Sequence, residues 1–193
     1  MSNKKMIPAV VAATALAFGF GQAVHAKSPV PGKPGKPGKQ NIVEIASAVN
    51  AETGEFDYLL AAATCEYFNG AIVELLTSRN KLTLFAPTDA AFEALQRKLG
   101  VTTPAPEATC KLDQATVFNI LAYHVTEGRR FSNSVFNKRS TKMVEMLNDQ
   151  HIVTNPDLSI NDNEGKTIRP VLPLVNINAR NGVIHVIDGV LEP

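Results

Sequence analysis

Between residues 41 and 76, apolar positions recur every three to four residues, which is the period of an α-helix. The first run follows Asn41, a residue type that favours the N-cap of a helix. Its apolar members are Ile42, Ile45, Ala46 and Val49. Residues 56–63 and 71–76 continue the same period. We therefore predict that the chain is helical over most of this part.

The pattern changes at residue 81, where a run of almost continuous apolar residues predicts a buried strand ending at Pro87. Thr88 or Asp89 is placed to cap a following helix, with Phe92 and Leu95 on its inner face. A further helix is predicted from about Asp113, and it runs into residues 122–125.

Short strands dominate the remainder of the chain. Residues 141–147 alternate between polar and apolar types, and the other predicted strands cover 152–153, 158–160, 174–179 and 183–190. Asn181-Gly182 predicts a hairpin turn, because both residues tolerate a positive φ. Helices followed by many short strands indicate an α+β fold, with helices packed on one face or end of a mostly antiparallel β structure.

The N-terminus resembles an export signal. Lys4 and Lys5 precede an apolar stretch at 7–20, and residues 24–26, Val-His-Ala, form a small-x-small cleavage pattern. We predict a signal peptide at 1–26, and a secreted, periplasmic or cell-surface location. The alternative is a membrane anchor, although the apolar stretch is short against the ~20 residues that a spanning helix needs.

Residues 27–40 form a linker that repeats Pro-Gly-Lys three times. Three such triplets are too few for a collagen helix, so an extended and solvated tether is the better interpretation. Its four lysines, Lys27, Lys33, Lys36 and Lys39, make it a candidate for weak association with an anionic surface. A plain spacer is the interpretation that we favour.

The predicted domain at 41–193 is acidic. Six of the chain's 19 basic residues lie before it and all 18 acidic residues lie within it, so its net charge is −5. This balance argues against nucleic acid as a partner. One local exception is a basic cluster, which is either an anion-binding patch or a solvated loop; its members are Arg129, Arg130, Lys138, Arg139 and Lys142.

Two cysteines, Cys65 and Cys110, lie in the predicted domain. An even number of cysteines in an exported chain favours a disulfide, and closing this loop would stabilise the fold by about 4 kcal/mol. The alternatives are a metal pair or a reactive thiol. Neither cysteine has a histidine or a second cysteine at ligand spacing, so the disulfide is favoured.

Motifs of catalysis and metal binding are not found in the sequence. It contains no Gly-x-Ser-x-Gly, no His-Glu-x-x-His and no Cys-x-x-Cys. Three histidines, His124, His151 and His185, would have to converge with Asp89 or Asp188 to form a catalytic group, and their spacing does not require it. We expect a protein that is not an enzyme and has no metal or cofactor.

Three stretches together resemble the fasciclin-like domain: residues 83–92, residues 121–125 with Tyr123 and His124, and residues 178–191. The resemblance covers about 41–193 and implies a wedge of two mostly antiparallel β-sheets flanked by helices. It also implies a secreted or surface adhesion module whose partner is an extracellular matrix or cell-surface protein or polysaccharide. Tyr123 and His124 match the family's adhesion motif, so they are the candidate binding residues.

Alternatives remain within this family interpretation. Some exported members bind carotenoids, so a carrier of a hydrophobic ligand is the second hypothesis. Five phenylalanines either line its groove or belong to the core: Phe56, Phe68, Phe118, Phe131 and Phe136. His124 is either a hydrogen-bonded structural residue or part of a binding surface, and His185 is expected to be structural, on the strand face opposite Ile184 and Val186. The chain contains no Arg-Gly-Asp, so integrin-type recognition is not expected.

Overall fold

The structure, a computed structural model, describes residues 38–193. The predicted signal peptide and residues 27–37 of the predicted linker lie outside the described residues. Six α-helices are described, with two short 3-10 turns at Glu66–Phe68 and Pro106–Lys111. The helices are α1 (Ile42–Thr53), α2 (Asp57–Ala63), α3 (Ala71–Thr77), α4 (Asp89–Lys98), α5 (Gln114–Ala122) and α6 (Ser132–Val135).

The eight strands of residues 38–193 form two four-stranded sheets. The first sheet contains β1 (Leu82–Pro87), β2 (Val125–Glu127), β7 (Ile177–Ala179) and β8 (Gly182–Ile187), in the order β2-β1-β8-β7. The second contains β3 (Lys142–Glu145), β4 (His151–Thr154), β5 (Ile160–Asn161) and β6 (Thr167–Ile168), in sequence order. Among these eight strands only β1 and β8 pair in parallel, so the predicted mostly antiparallel α+β fold is confirmed.

The first sheet lies between the helices and the second sheet. Side chains alternate across a strand, and both faces of β1 and β8 are buried. Leu84, Ile184 and Val186 belong to the apolar cluster shared with the helices. Phe85 and Ile187 belong to the cluster shared with the second sheet. Two cores on opposite faces explain why every residue of β1 is buried and why its sequence does not alternate between polar and apolar types.

Local capping starts the helices where the sequence predicted. The side chain of Asn41 accepts a hydrogen bond from the Glu44 N–H at 2.9 Å, and the Glu44 carboxylate accepts one from the Asn41 N–H at 2.7 Å. This reciprocal pair is a capping box. Thr88 caps α4, and Asp113 caps α5. Asp89 has another role: its carboxylate accepts from the first N–H groups of α2.

The hairpin between β7 and β8 forms as predicted, but the predicted reason is wrong. Ala179 pairs with Gly182, so the turn residues are Arg180 and Asn181, and neither Asn181 nor Gly182 has a positive φ. Gly182 is required because an added Cβ would lie 2.3 Å from the Leu82 carbonyl oxygen. Strand β7 is also shorter than predicted, since residues 171–176 form a loop before it.

Asn181 is buried and joins three elements. Its side-chain oxygen accepts from the Ile42 N–H at the start of α1, at 3.0 Å. Its amide nitrogen donates to the carbonyls of Leu76 and Ser78 at the end of α3, at 2.7 and 3.1 Å. The turn is therefore locked to both helices.

A disulfide bond connects the helical layer to the segment before α5. Cys65, just after α2, is bonded to Cys110, and their Cα atoms lie 5.4 Å apart. The structure thus has the predicted cysteine pairing. The bond closes a loop that includes β1 and α4.

Candidate functional site

Tyr123 is the first of the two predicted binding residues, and it lies at the C-terminus of α5. Its side chain is fully buried in the core between the two sheets. Its hydroxyl donates to the backbone carbonyl of His151 in β4, at 2.7 Å. Burial raises the pKa of Tyr123 to about 12, since the charged phenolate is poorly solvated there. Tyr123 therefore connects α5 to the second sheet.

His124 is also buried, and both of its ring nitrogens are used inside the fold. Nδ1 lies 2.7 Å from the Ile120 carbonyl oxygen, and Nε2 accepts from the Leu191 N–H at 2.9 Å. This pattern requires the tautomer with its proton on Nδ1. Burial lowers the pKa of His124 to about 4, and the charge of Lys166 acts in the same direction. His124 is thus a neutral link between α5 and the C-terminal segment.

His185 has the equivalent role on β8, as the sequence predicted. It faces the second core, where its ring lies against Phe85 and Phe136, while Ile184 and Val186 face the helices. Its Nε2 lies 2.8 Å from the Arg130 carbonyl oxygen. Burial lowers the pKa of His185 to about 4 as well.

The positions of the three histidines can be compared with the predicted binding and catalytic roles. The structure does not bring the three histidines together at a surface: His124 and His185 face opposite cores, and His151 is exposed. Within residues 38–193, no three histidine, cysteine or acidic side chains form a group that would hold a metal ion. The predicted binding role of Tyr123 and His124 stays a prediction. Because both side chains are buried, they could affect a partner only by positioning the surface residues that cover them.

An apolar cavity of about 180 Å³ lies between α2, α3, α5 and the first sheet. Leu75, Phe118 and Leu147 are among the residues that line it, and Phe118 is half exposed to solvent. His124 also lines the cavity, but its ring nitrogens are engaged elsewhere. The cavity therefore offers dispersion contacts and little hydrogen bonding to an occupant.

The five phenylalanines proposed for a ligand groove do not form one group, although the ring centroids of Phe68 and Phe118 lie 6.1 Å apart. Phe118 lines the cavity, whereas Phe56, Phe68 and Phe136 are core residues. Phe131 lies instead beneath the guanidinium of Arg129, whose Cζ is 5.9 Å from the ring centroid. The spacing of aromatic residues in the sequence could not show this, because their positions depend on long-range packing.

The predicted basic cluster is divided by the fold. Arg129 donates to the Arg180 carbonyl at 3.2 Å and to the side chain of Asn178, so it joins the first sheet. Lys142 is the first residue of β3 in the second sheet, and its side chain donates to the Ser134 carbonyl in α6. Lys81, which the sequence analysis did not single out, donates to the same Arg180 carbonyl at 3.1 Å. The sequence did offer a signal for this contact. Lys81 directly precedes β1 and Arg180 lies in the turn before β8, and β1 and β8 begin at the same edge of the sheet.

None of the helices in the described part of the chain is long and apolar enough to span a membrane.

Comparison with known families matches residues 62–193 to the fasciclin domain. Protein sll1483 of Synechocystis sp. (strain ATCC 27184 / PCC 6803 / Kazusa) is 29% identical over 199 residues, covering all of this chain and 99% of that protein. The uncharacterized protein sll1735 of the same organism is 32% identical over 152 residues, covering 78% of this chain and 96% of that protein.

Two further similarities involve larger proteins. Periostin of Homo sapiens is 32% identical over 123 residues, which is 62% of this chain and 13% of periostin. Among solved structures, a FAS1 domain pair from the insect cell adhesion molecule fasciclin I matches with a TM-score of 0.53. That match covers 80% of this chain and 51% of the other, at 17% identity, so it supports the fold alone.

Proposed function

The chain belongs to the fasciclin domain family, and on that premise we propose that it is an extracellular module that attaches cells or matrix without catalysis. Fasciclin domains are typically extracellular and related to adhesion. The solved structure with the same fold comes from a cell adhesion molecule, and we extend that role to this chain as part of the proposal.

The observation that supports the proposal most directly is that the buried tyrosine and histidine side chains form hydrogen bonds within the fold. Tyr123, His124 and His185 direct their polar atoms at backbone groups of the fold itself. A general base needs a ring nitrogen or carboxylate within reach of a substrate. Because these three side chains form hydrogen bonds within the fold, they stabilise a rigid domain. The surface of that domain is then available to bind a partner.

The partner in this proposal is a matrix or cell-surface protein or polysaccharide. The signal peptide at 1–26 would export the chain, and the linker at 27–40 would let the domain reach away from the surface that retains it. We propose that Tyr123 and His124 contribute indirectly, because each holds α5 against a neighbouring element below the surface.

Carriage of a carotenoid is the second hypothesis, and the cavity gives it limited support. Its volume of about 180 Å³ is close to the ~150 Å³ of a protein cavity that accepts benzene. A space of that size holds one ring, whereas a carotenoid is a long polyene that needs an extended groove. Adhesion therefore remains the function that we propose first.

Deletion of the gene from the native host tests the adhesion proposal. We expect the deletion strain to attach less well to surfaces and to form less biofilm, and expression of the wild-type chain should restore both. A deletion strain that carries the empty expression vector serves as the control and should not recover either property. Unchanged attachment and biofilm mass in the deletion strain would count against the proposal.

An ultraviolet-visible spectrum of the chain purified from its host separates the two hypotheses. The adhesion proposal predicts a colourless protein. A structured visible band accompanied by a lipid-soluble mass would favour the carrier instead, and the cavity beside Phe118 would then be the place to mutate.

A further inference from the structure

Several cations lie at one edge of the first sheet. Lys81 directly precedes β1, Arg180 lies in the turn before β8, and Arg129 follows β2 by two residues. Because β2 runs antiparallel to β1 and β8 runs parallel to it, all three positions are at the same edge. The fold thus assembles positive charge from three distant parts of the sequence.

Two of these cations converge on one atom. The Nζ of Lys81 donates to the Arg180 carbonyl oxygen at 3.1 Å, and Nη1 of Arg129 donates to the same oxygen at 3.2 Å. The two nitrogens therefore lie at most about 6 Å apart. The four ion pairs found in residues 38–193 do not include Lys81, Arg129 or Arg180. The like charges repel, and an anion from outside would relieve that repulsion.

Arg129 is held in place by the fold. The Thr83 hydroxyl on β1 donates to the Gly128 carbonyl at 2.7 Å and accepts from the Arg130 N–H at 2.8 Å. These bonds fix the backbone on both sides of Arg129. Its guanidinium also donates to Asn178 and lies over Phe131. A cation fixed in this way loses little conformational entropy when it binds an anion.

The linker joins the domain at the same edge. The Gln40 carbonyl accepts from the Arg180 N–H at 2.7 Å, so residues 38–40 run beside the turn before β8. Lys39 is exposed there, and the sequence places Lys27, Lys33 and Lys36 shortly before it. The end of the positive linker therefore lies beside the turn that holds Arg180.

We propose that this cationic edge, formed by Lys39, Lys81, Arg129 and Arg180, binds the sulfate or carboxylate groups of an acidic polysaccharide. The inference rests on the proposed function and names the partner class of that function. The rest of the domain carries a net negative charge. A broad polyanion such as duplex DNA would be repelled outside the narrow edge, whereas a thin and flexible polysaccharide need contact only the edge.

Surface plasmon resonance with immobilised heparin and polygalacturonate tests this proposal, with dextran as the neutral reference. The chain purified from its host should bind both acidic polymers, and more weakly as salt rises from about 0.05 to about 0.3 M. The double variant Lys81→Gln, Arg129→Gln should lower the affinity roughly tenfold, as expected for the loss of charge-assisted hydrogen bonds.

A matched control removes two charges elsewhere. Arg97→Gln, Lys111→Gln changes the net charge equally, and Arg97 lies on α4, which follows the opposite end of β1. We expect its affinity to stay within about twofold of the wild type, because exposed charges this distant are screened. Equal losses in the two double variants would overturn the proposal, because net charge alone would then explain binding.

Thr83→Val keeps every charge and the side-chain shape while removing the hydroxyl that positions Arg129. It should weaken binding by an intermediate factor, and circular dichroism establishes that it is folded. Wild-type affinity in both this variant and the Lys81 and Arg129 double variant would overturn the proposal, as would duplex DNA that binds as tightly as heparin. If the polysaccharides fail to bind while host attachment still depends on the gene, only the partner class is wrong.

Discussion

Single buried polar side chains hold distant parts of this domain together. Tyr123, His124 and Asn181 each bond backbone groups at least 28 residues away in the sequence. Such bonds are satisfied in the folded state, and removing one partner leaves a buried polar group unpaired. Stability should therefore be sensitive to small changes at these residues.

The two buried histidines should make stability depend on pH. Burial lowers the pKa of His124 and of His185 to about 4, whereas the unfolded side chain titrates near 6.5. Between these values the unfolded chain binds more protons, so the free energy of unfolding falls as the pH falls. The expected loss is about 1.4 kcal/mol per pH unit for each histidine.

Urea unfolding of the wild type between pH 7 and pH 5 measures this dependence. His124→Gln should be less stable at every pH, and its slope should be shallower because one of the two titrating groups is gone. His151→Gln is the control, since its side chain is exposed. A slope that His124→Gln leaves unchanged would contradict the assignment of His124 as a buried neutral residue.

Gly182 should tolerate no side chain. In Gly182→Ala the new Cβ would meet the Leu82 carbonyl oxygen at 2.3 Å and Cδ1 of Ile42 at 2.7 Å, so the sheet or α1 must shift. We expect a loss of about 2 kcal/mol in the free energy of unfolding. Gly165→Ala is the comparison, because its Cβ meets nothing within 4 Å and only the positive φ is strained, at about 1 kcal/mol. Similar losses in the two variants would contradict the steric account.

At the scale of elements, the sequence predicted what depends on local interactions. Caps were predicted at Asn41 and at Thr88 or Asp89, and the structure has them at Asn41 and Thr88. A helix was also predicted to start near Asp113, and in the structure Asp113 is its N-cap. The extent of β7 was overestimated, because strand length depends on which strand lies alongside. The role of Asn181 was missed for the same reason, since its partners are more than 100 residues away in the sequence.

Asn181 gives a prediction at this scale, because it joins the β7–β8 turn to α1 and α3. Asn181→Ala leaves the Ile42 N–H and the Leu76 carbonyl without this partner, and we expect it to cost about 3 kcal/mol. Asn181→Asp keeps the acceptor for Ile42, but it replaces the donor by a carboxylate oxygen that faces the Leu76 and Ser78 carbonyl oxygens. Chemical denaturation should rank both below the wild type, and an alanine variant of wild-type stability would show that the turn needs no such link.

At the scale of the molecule, residues 38–193 form a helical layer on a mixed sheet, with a second sheet beneath. Its class could be predicted because the order of helical and strand patterns along the chain is a local signal, and the family resemblance supplied the wedge. The two separate cores could not be predicted. They require the parallel pairing of β1 with β8, which joins strands about 100 residues apart. The contact of both Lys81 and Arg129 with the Arg180 carbonyl depends on the same pairing, because it places the start of β8 beside the start of β1.

The disulfide between Cys65 and Cys110 should stabilise the molecule as a whole. Replacing both cysteines by serine frees a loop of 45 residues in the unfolded state, which costs about 4 kcal/mol in the chain-entropy model. The purified wild-type chain should have an intact mass two hydrogens below its reduced form. An unfolding midpoint unaffected by the double replacement would show that the bond contributes little.

The central claim is that the folded domain holds a partner outside the cell without catalysis. Its most direct test counts the host cells that attach to beads coated with the purified chain. Beads coated with the same chain after reduction and unfolding are the matched control. We predict that the folded coating retains several-fold more cells than the unfolded coating. Equal retention by the folded and unfolded coatings would contradict the claim.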